Sequence, residues 1–301
     1  MKSIMFAAQA IETGYRDCVV AGGMESMSNI PHYVSGMRAG LPLGDGKIVD
    51  GLVYDGLWDP YDDQHMGNCA EVCASTYGFS REDQDAYAMM SYERAAASWA
   101  AGVFANEIVS VAVPQRRGDA KIVDTDEEFS NMKVEKIPTL RPAFQKDGTV
   151  TAANASSIND GATATIVMSR ARAEELGVKP LAVIRGFADA AKAPVEFTTA
   201  PAAAVPLAYA MAGITESDVD YHEINEAFSV VALANAQLLN VDIERVNVHG
   251  GAVALGHPIG SSGARIVTTL LSTLQQSDAS IGVASICNGG GGASAIVIER
   301  E

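Results

Sequence analysis

Apolar residues recur at helical spacing in the opening segment, where Ile4, Met5, Ala8 and Ile11 share one face and Gly14 closes the run. The stretch Asp17 to Ala21 is short and rich in β-branched residues, and Gly22 and Gly23 bound it, which predicts a buried strand. From about Ser28 to Thr151 the periodicity breaks into turns rich in Gly, Pro, Asp and Tyr. Within that stretch a helix is predicted over 81–101, and Ser80 with Asp83 has the spacing of a capping box. A strand at 162–168 and a helix at 171–176, closed by Gly177, resume the alternation. Beyond Lys179 the rhythm is regular. Strands are predicted at 181–187, 221–224, 246–248, 281–286 and 293–298, and helices at 202–212, 228–239 and 263–275. This order predicts an α/β fold with a mixed sheet covered by helices on both faces, and places ligand chemistry at the loops following the strands. The irregular stretch reads as an insertion with a small fold of its own, of the kind that carries binding.

Composition narrows the function more than the fold. With 48% hydrophobic and 19% charged residues in 301, the chain can bury a substantial core, and disorder is excluded. A net charge of -16 repels polyanions, so neither nucleic acid nor an anionic membrane is expected as a partner. No apolar run reaches the roughly 18 residues of a membrane span, and Gln9 and Glu12 interrupt the opening segment as a signal peptide. The four cysteines are too sparse for a disulfide framework and read as free thiols. Cys69 and Cys73 could share a helix face, but no second ligand pair closes a zinc site, so both are expected to be small buried residues.

Three strand-end loops carry reactive side chains. In Asn225-Glu226-Ala227-Phe228 the plain structural reading is a helix cap. The glycine-rich loop from Gly250 to Gly263 fixes His257 beside Pro258, and it lacks both a phosphate-loop lysine and a G-x-G-x-x-G pattern. Cys287 is followed by Asn288 and four glycines, a run that is entropically costly unless exposed backbone N–H groups are used.

Asn, His and Cys on three such loops in this order resemble the thiolase family. Val19 to Ser28, His65-Met66-Gly67 and Gly148 to Gly161 also match its signatures, so the resemblance spans essentially the whole chain. His65-Met66-Gly67 and the Cys287 loop look most like the acetoacetyl-CoA enzymes of the mitochondrial-type branch. The resemblance implies a layered αβαβα fold of two similar halves, divided as 1–27 and 159–178 for the N-terminal half, 28–158 for the insertion and 179–301 for the C-terminal half. It implies acetyl-CoA C-acetyltransfer, in which two acetyl-CoA interconvert with acetoacetyl-CoA and CoA through an acyl-enzyme. His257 then takes the proton of the nucleophilic thiol and, with a water on Asn225, stabilises the enolate oxygen. Cys287 shuttles the methyl proton, and the Gly289 N–H helps hold the tetrahedral intermediate.

By the same resemblance His65, Met66, Ala152, Ala153, Ser156 and Phe228 contact CoA, and basic residues between Arg116 and Lys146 are candidates for its phosphates. No tightly bound cofactor is implied. A weak potassium site is expected around the carbonyls of Ala152, Ala153, Ala155 and Val253, weak because Phe129 stands where relatives offer a tyrosine oxygen. The family forms dimers or tetramers, and Leu41 to Asp59 resembles its tetramerisation loop. One departure stands out: the family's nucleophilic cysteine precedes the residue matching Met1, so this chain is expected to lack it and to be inactive alone. Two readings follow, an incomplete copy of an ordinary enzyme or a short form that binds CoA or joins full-length subunits. A mitochondrial or cytoplasmic setting fits either.

Overall fold

The computed structural model describes residues 1–301. Helix α1 (Lys2–Glu12) buries Ile4, Met5, Ala7 and Ala8, as its spacing requires. Strand β1 (Cys18–Ser26) pairs antiparallel with β2 (Asp160–Met168), in register from Cys18 opposite Met168 to Ser26 opposite Asp160. Residues 27–159 therefore leave and return at one point, and the ribbon closes a long excursion.

Four strands form the main sheet. In it β3 (Ala182–Ala191), β4 (Tyr221–Ile224), β5 (Ile281–Asn288) and β6 (Gly292–Arg300) lie in the order β4-β5-β6-β3, with only β4 and β5 parallel. Helix α5 (Pro201–Ala212) covers one face, packing Ala204, Val205 and Ala208 on Val283, Ala295 and Val297. The long helix α8 (Ile259–Gln276) covers the other with Ala264, Ile266, Leu270 and Leu274, beside α1. Ala21 and Phe187 belong to the same apolar cluster, so α8 lies between the β1–β2 ribbon and the main sheet. Sheet and helix layers stack alternately, as an α/β sequence with apolar helix faces demands.

Within the excursion the capping box forms as expected. Asp83 N donates to Ser80 Oγ at 3.1 Å and Ser80 N to Asp83 Oδ2 at 2.8 Å, opening α3 (Arg81–Ala100). A second helix, α2 (Met66–Tyr77), was not expected; it buries Cys69 and Cys73 one turn apart. Helix α4 (Arg170–Leu176) starts within a residue of its expected position.

One expected strand is absent. Around Val246 to Val248 only a single parallel bridge joins His222 and Val246, because Asn247 takes φ 47°, outside extended geometry. Its side chain replaces the missing ladder: Asn247 Oδ1 accepts from Ile224 N and Nδ2 donates to Ile224 O, both at 2.8 Å. Beyond it, a short helix α7 (Ala252–Leu255) stands in the glycine-rich loop, and α8 begins at Ile259, ahead of the expected Gly263.

Candidate active site

Strands β4 and β5 run parallel, with Ile224 opposite Ser285, so Asn225 and Cys287 emerge at the carboxyl ends of neighbouring strands. Asn225 N extends the pairing to Ser285 O at 2.9 Å. Helix α6 (Ser229–Leu239) starts only after Phe228, and neither Asn225 nor Glu226 caps it. The capping reading of those two polar side chains therefore fails, and both are buried.

His257 meets Asn225 from the loop before α8, with Asn225 Nδ2 at 3.3 Å from its Nε2. On the other side its Nδ1 lies 2.6 Å from Ser262 Oγ, whose hydroxyl donates to Pro258 O at 2.9 Å. That hydroxyl has one proton, so the imidazole N–H sits on Nδ1 and Nε2 keeps its lone pair. Burial, and then the charge of Arg265, lowers the imidazole pKa to about 4, which leaves it a neutral base at neutral pH. The loop is held from the first half of the chain, because His257 N donates to Asn159 Oδ1 at 3.1 Å.

Cys287 is buried at the end of β5, and burial pushes its thiol up to about 12. It is therefore protonated at rest and strongly basic once deprotonated. The following glycines turn sharply: Gly291 has φ 92°, and a Cβ there would come within 2.2 Å of Lys192 O.

These groups border a cavity of 830 Å³, lined by His65, Met66, Phe144, Ser156, Phe228, His257, Cys287 and Gly289 among others. Asn225 stands behind His257, outside that lining. Ser156 is fixed by its Oγ donating to Ala227 O at 2.9 Å, and Ala155 bridges to Phe228, which joins the Gly148–Gly161 segment to the Asn225 loop. His65 Nδ1 accepts from Gly67 N at 3.0 Å and caps α2, while its ring packs on Phe144 at 4.7 Å. Ala152 and Ala153 do not line the cavity; Ala153 is buried beneath α3 with Val253. Of the four cysteines only Cys287 lines it: Cys18 is exposed, and Cys69 and Cys73 are buried.

Several residues near the site escaped the sequence reading. Ser262 and Asn159 set the His257 geometry, and Tyr92 is buried in one cluster with Ala153 and Val253, against which Phe129 also packs. Polar residues in a glycine-rich or turn-like context were the available signal for Ser262 and Asn159. Tyr92 looked like one apolar position of α3.

Glu223, two residues before Asn225, has neither carboxylate oxygen hydrogen-bonded, and Arg265 Nη1 lies 3.8 Å away. Burial raises its pKa to about 8, above an unfolded value near 4.3. The protonated form thus favours the fold: its contribution is complete below the unfolded value and is lost as pH rises through about 8. Glu223→Gln is expected to raise the thermal midpoint over the parent by several degrees near pH 9, with the gap shrinking toward pH 5. A pH-independent gap in melting curves would contradict this.

The descriptions "thiolase, N-terminal domain" and "thiolase, C-terminal domain" match residues 1–171 and 178–300. The chain is 56% identical to acetyl-CoA acetyltransferase 1 of Arabidopsis thaliana, over 99% of itself and 72% of that protein. It is 52% identical to the mitochondrial acetyl-CoA acetyltransferase of Rattus norvegicus, over 100% of itself and 70% of that protein. Among solved structures, the Acat5 thiolase from Ascaris suum in complex with coenzyme A superimposes with a TM-score of 0.93 at 49% identity. That match covers 100% of this chain and 76% of the Ascaris one.

Proposed function

The chain belongs to the thiolase family, and from that membership we propose that His257, Asn225, Cys287 and Gly289 carry the proton and oxyanion chemistry of an acetyl-CoA C-acetyltransferase. The activity is that of its acetyl-CoA acetyltransferase relatives, and an ordinary enzyme is favoured over a non-catalytic short form. The observation that carries the residue assignment is that His257 and Cys287 line one cavity, with His257 held from behind by a hydrogen bond from Asn225.

His257 Nε2 takes the proton from the acyl-accepting thiol, whose thiolate attacks the thioester carbonyl of acetyl-CoA. The tetrahedral intermediate expels CoA thiolate, which collects a proton from Cys287. The resulting Cys287 thiolate removes a methyl proton from the second acetyl-CoA, a task suited to a thiol whose pKa lies near 12. The enolate oxygen formed meets His257 and the group held on Asn225, and the carbanion attacks the acyl-enzyme to give acetoacetyl-CoA, expelling the acyl-accepting thiolate, which takes its proton back from His257. Cys18, Cys69 and Cys73 do not line the cavity, so none of the three is placed to accept the acyl group there.

Pantetheine would lie along Ser156 with Phe228, Met66 and His65 at the acyl end. Arg141 and Lys146 flank the wall residue Phe144 and are exposed, which suits them to the CoA phosphates. Exposed Met37, Leu41, Leu43 and Ile48 in the insertion support assembly into a homo-oligomer. The test is calorimetric titration of the chain with acetoacetyl-CoA. Binding is expected, competed by free CoA and lost on Ser156→Trp, which fills the cavity; absence of binding, or binding indifferent to that substitution, would reject the assignment.

Potassium is part of the same proposal. Carbonyls of Ala152, Ala153, Ala155 and Val253 would hold it, and Tyr92, packed with Ala153 and Val253, offers the phenol oxygen that Phe129 lacks. Burial raises the Tyr92 pKa, so the group is a neutral oxygen donor, as a hard monovalent cation accepts. Phe129 instead stacks on Trp99 at 6.0 Å. Acetoacetyl-CoA affinity is expected to be several-fold higher in potassium than in sodium at matched ionic strength. Tyr92→Phe should erase that difference, whereas Phe129→Tyr should change it less; the reverse order would restore Phe129 as the deciding position.

A further inference from the structure

Glu226 is fully buried, and four neutral donors converge on its carboxylate. Oε1 accepts from Tyr87 OH and Asn247 Nδ2, both at 2.8 Å, and Oε2 from Ser91 Oγ at 2.8 Å and Val253 N at 3.1 Å. Tyr87 and Ser91 lie one turn apart on α3 of the insertion. Asn247 and Val253 belong to the run that leads to His257. Ser91 Oγ also accepts from Gly251 N at 3.0 Å, and a Cβ on Gly251 would come within 2.3 Å of the Glu226 carboxyl carbon. Only glycine lets the loop approach so closely. Farther along the same helix, Arg94 Nη1 donates to Val246 O at 2.8 Å and Ser98 Oγ lies 2.9 Å from His249 Nδ1. The insertion helix is thus bonded along the whole segment from Val246 to Val253.

We propose that Glu226 is a positioning residue that locks the substrate-binding insertion to the loop carrying His257, so that the base stands at the cavity wall only while this carboxylate is in place. The role rests on the reading of His257 as the base. A carboxylate is needed because it accepts at every lone pair. Glutamine would turn an amide NH2 toward one donor pair, and each pair contains an N–H that cannot reverse. In one it is the backbone N–H of Val253; in the other it is Asn247, whose Oδ1 is already occupied by Ile224 N. One donor would then face another, buried and unpaired.

The groups facing the His257 ring are Asn225, Ser262, Arg265 and, across the cavity, Cys287; no bond joins Glu226 to it. A freed loop hydrates the ring, and its titration moves from about 4 toward the ordinary value. In Glu226→Gln, nuclear magnetic resonance titration of His257 is expected to shift upward by about a unit or more. Hydrogen exchange at Val253 to Gly256 should accelerate at least about tenfold, while the amides of β5 and β6 keep their rates. An unchanged His257 titration, or acceleration spread evenly over the sheet, would overturn the proposal. Should that variant not fold, Ser91→Ala removes a single donor from α3 and is expected to move both readings the same way, by about threefold in exchange; no movement overturns it equally. Coenzyme A binding by the parent in the same samples reports separately on the reading of the cavity, so failure of that reading and failure of the Glu226 role are distinguishable.

Discussion

His257→Ala is expected to lower both half-reactions by roughly 10⁴-fold, since one imidazole acts as general base toward the thiol and as an oxyanion donor toward the enolate. The assay uses a form of the protein that becomes acetylated, with acyl-enzyme formation followed by mass and carbon–carbon bond formation by acetoacetyl-CoA release. Asn225→Ala should cost less, about 10² to 10³-fold, because it removes one donor and leaves the base. The neutral state of His257 makes the first loss steep. The group in contact with Nε2 is the Asn225 amide, which is not a base and cannot replace the imidazole. A loss confined to one half-reaction would show that the two roles belong to different groups.

Cys287→Ser should divide the half-reactions. Serine keeps the shape and can still donate a hydrogen bond, so acyl-enzyme formation is expected to fall only about tenfold. Condensation requires the side chain to stand as an anion and take a methyl proton, whereas CoA can depart as a thiolate without it; the hydroxyl does not ionise, so condensation should fall about 10³-fold or more. Rapid-quench measurement of acyl-enzyme against acetoacetyl-CoA separates the two. Equal losses would remove Cys287 from the methyl-proton step. Burial that raises the thiol to about 12 is what suits it to that step, and it would make the same thiol a poor nucleophile at rest.

The α/β alternation after Lys179 was legible because each element there buries one face against a neighbour, and such burial writes its period into the residues. The three loops were legible for a different reason. His257 and Cys287 stand in or beside glycine-rich runs, and Asn225 closes an apolar strand, so the three loops stood out by their context. Where the reading failed, bonds distant in sequence had replaced local ones. Val246 to Val248 has the composition of a strand, but the side chain of Asn247 closes onto Ile224 and substitutes for the ladder. Helix α2 was hidden because its apolar positions are small residues such as Cys69, Ala70 and Cys73, which give little periodic contrast.

By itself the sequence determined the α/β class, most of the element order after Lys179 and that Asn225 and Cys287 would stand at strand ends, because hydrophobic period and chain order suffice for those. Tertiary structure alone decided which nitrogen of His257 is free, that Ala153 is buried beneath α3 and not in the cavity wall, and that Tyr92 lies with Ala153 and Val253. Each depends on groups brought together from distant parts of the chain: Asn159 holds the His257 backbone, and Glu226 gathers Tyr87, Ser91, Asn247 and Val253. A buried carboxylate must find its donors wherever the packing places them, and no spacing along the chain encodes that.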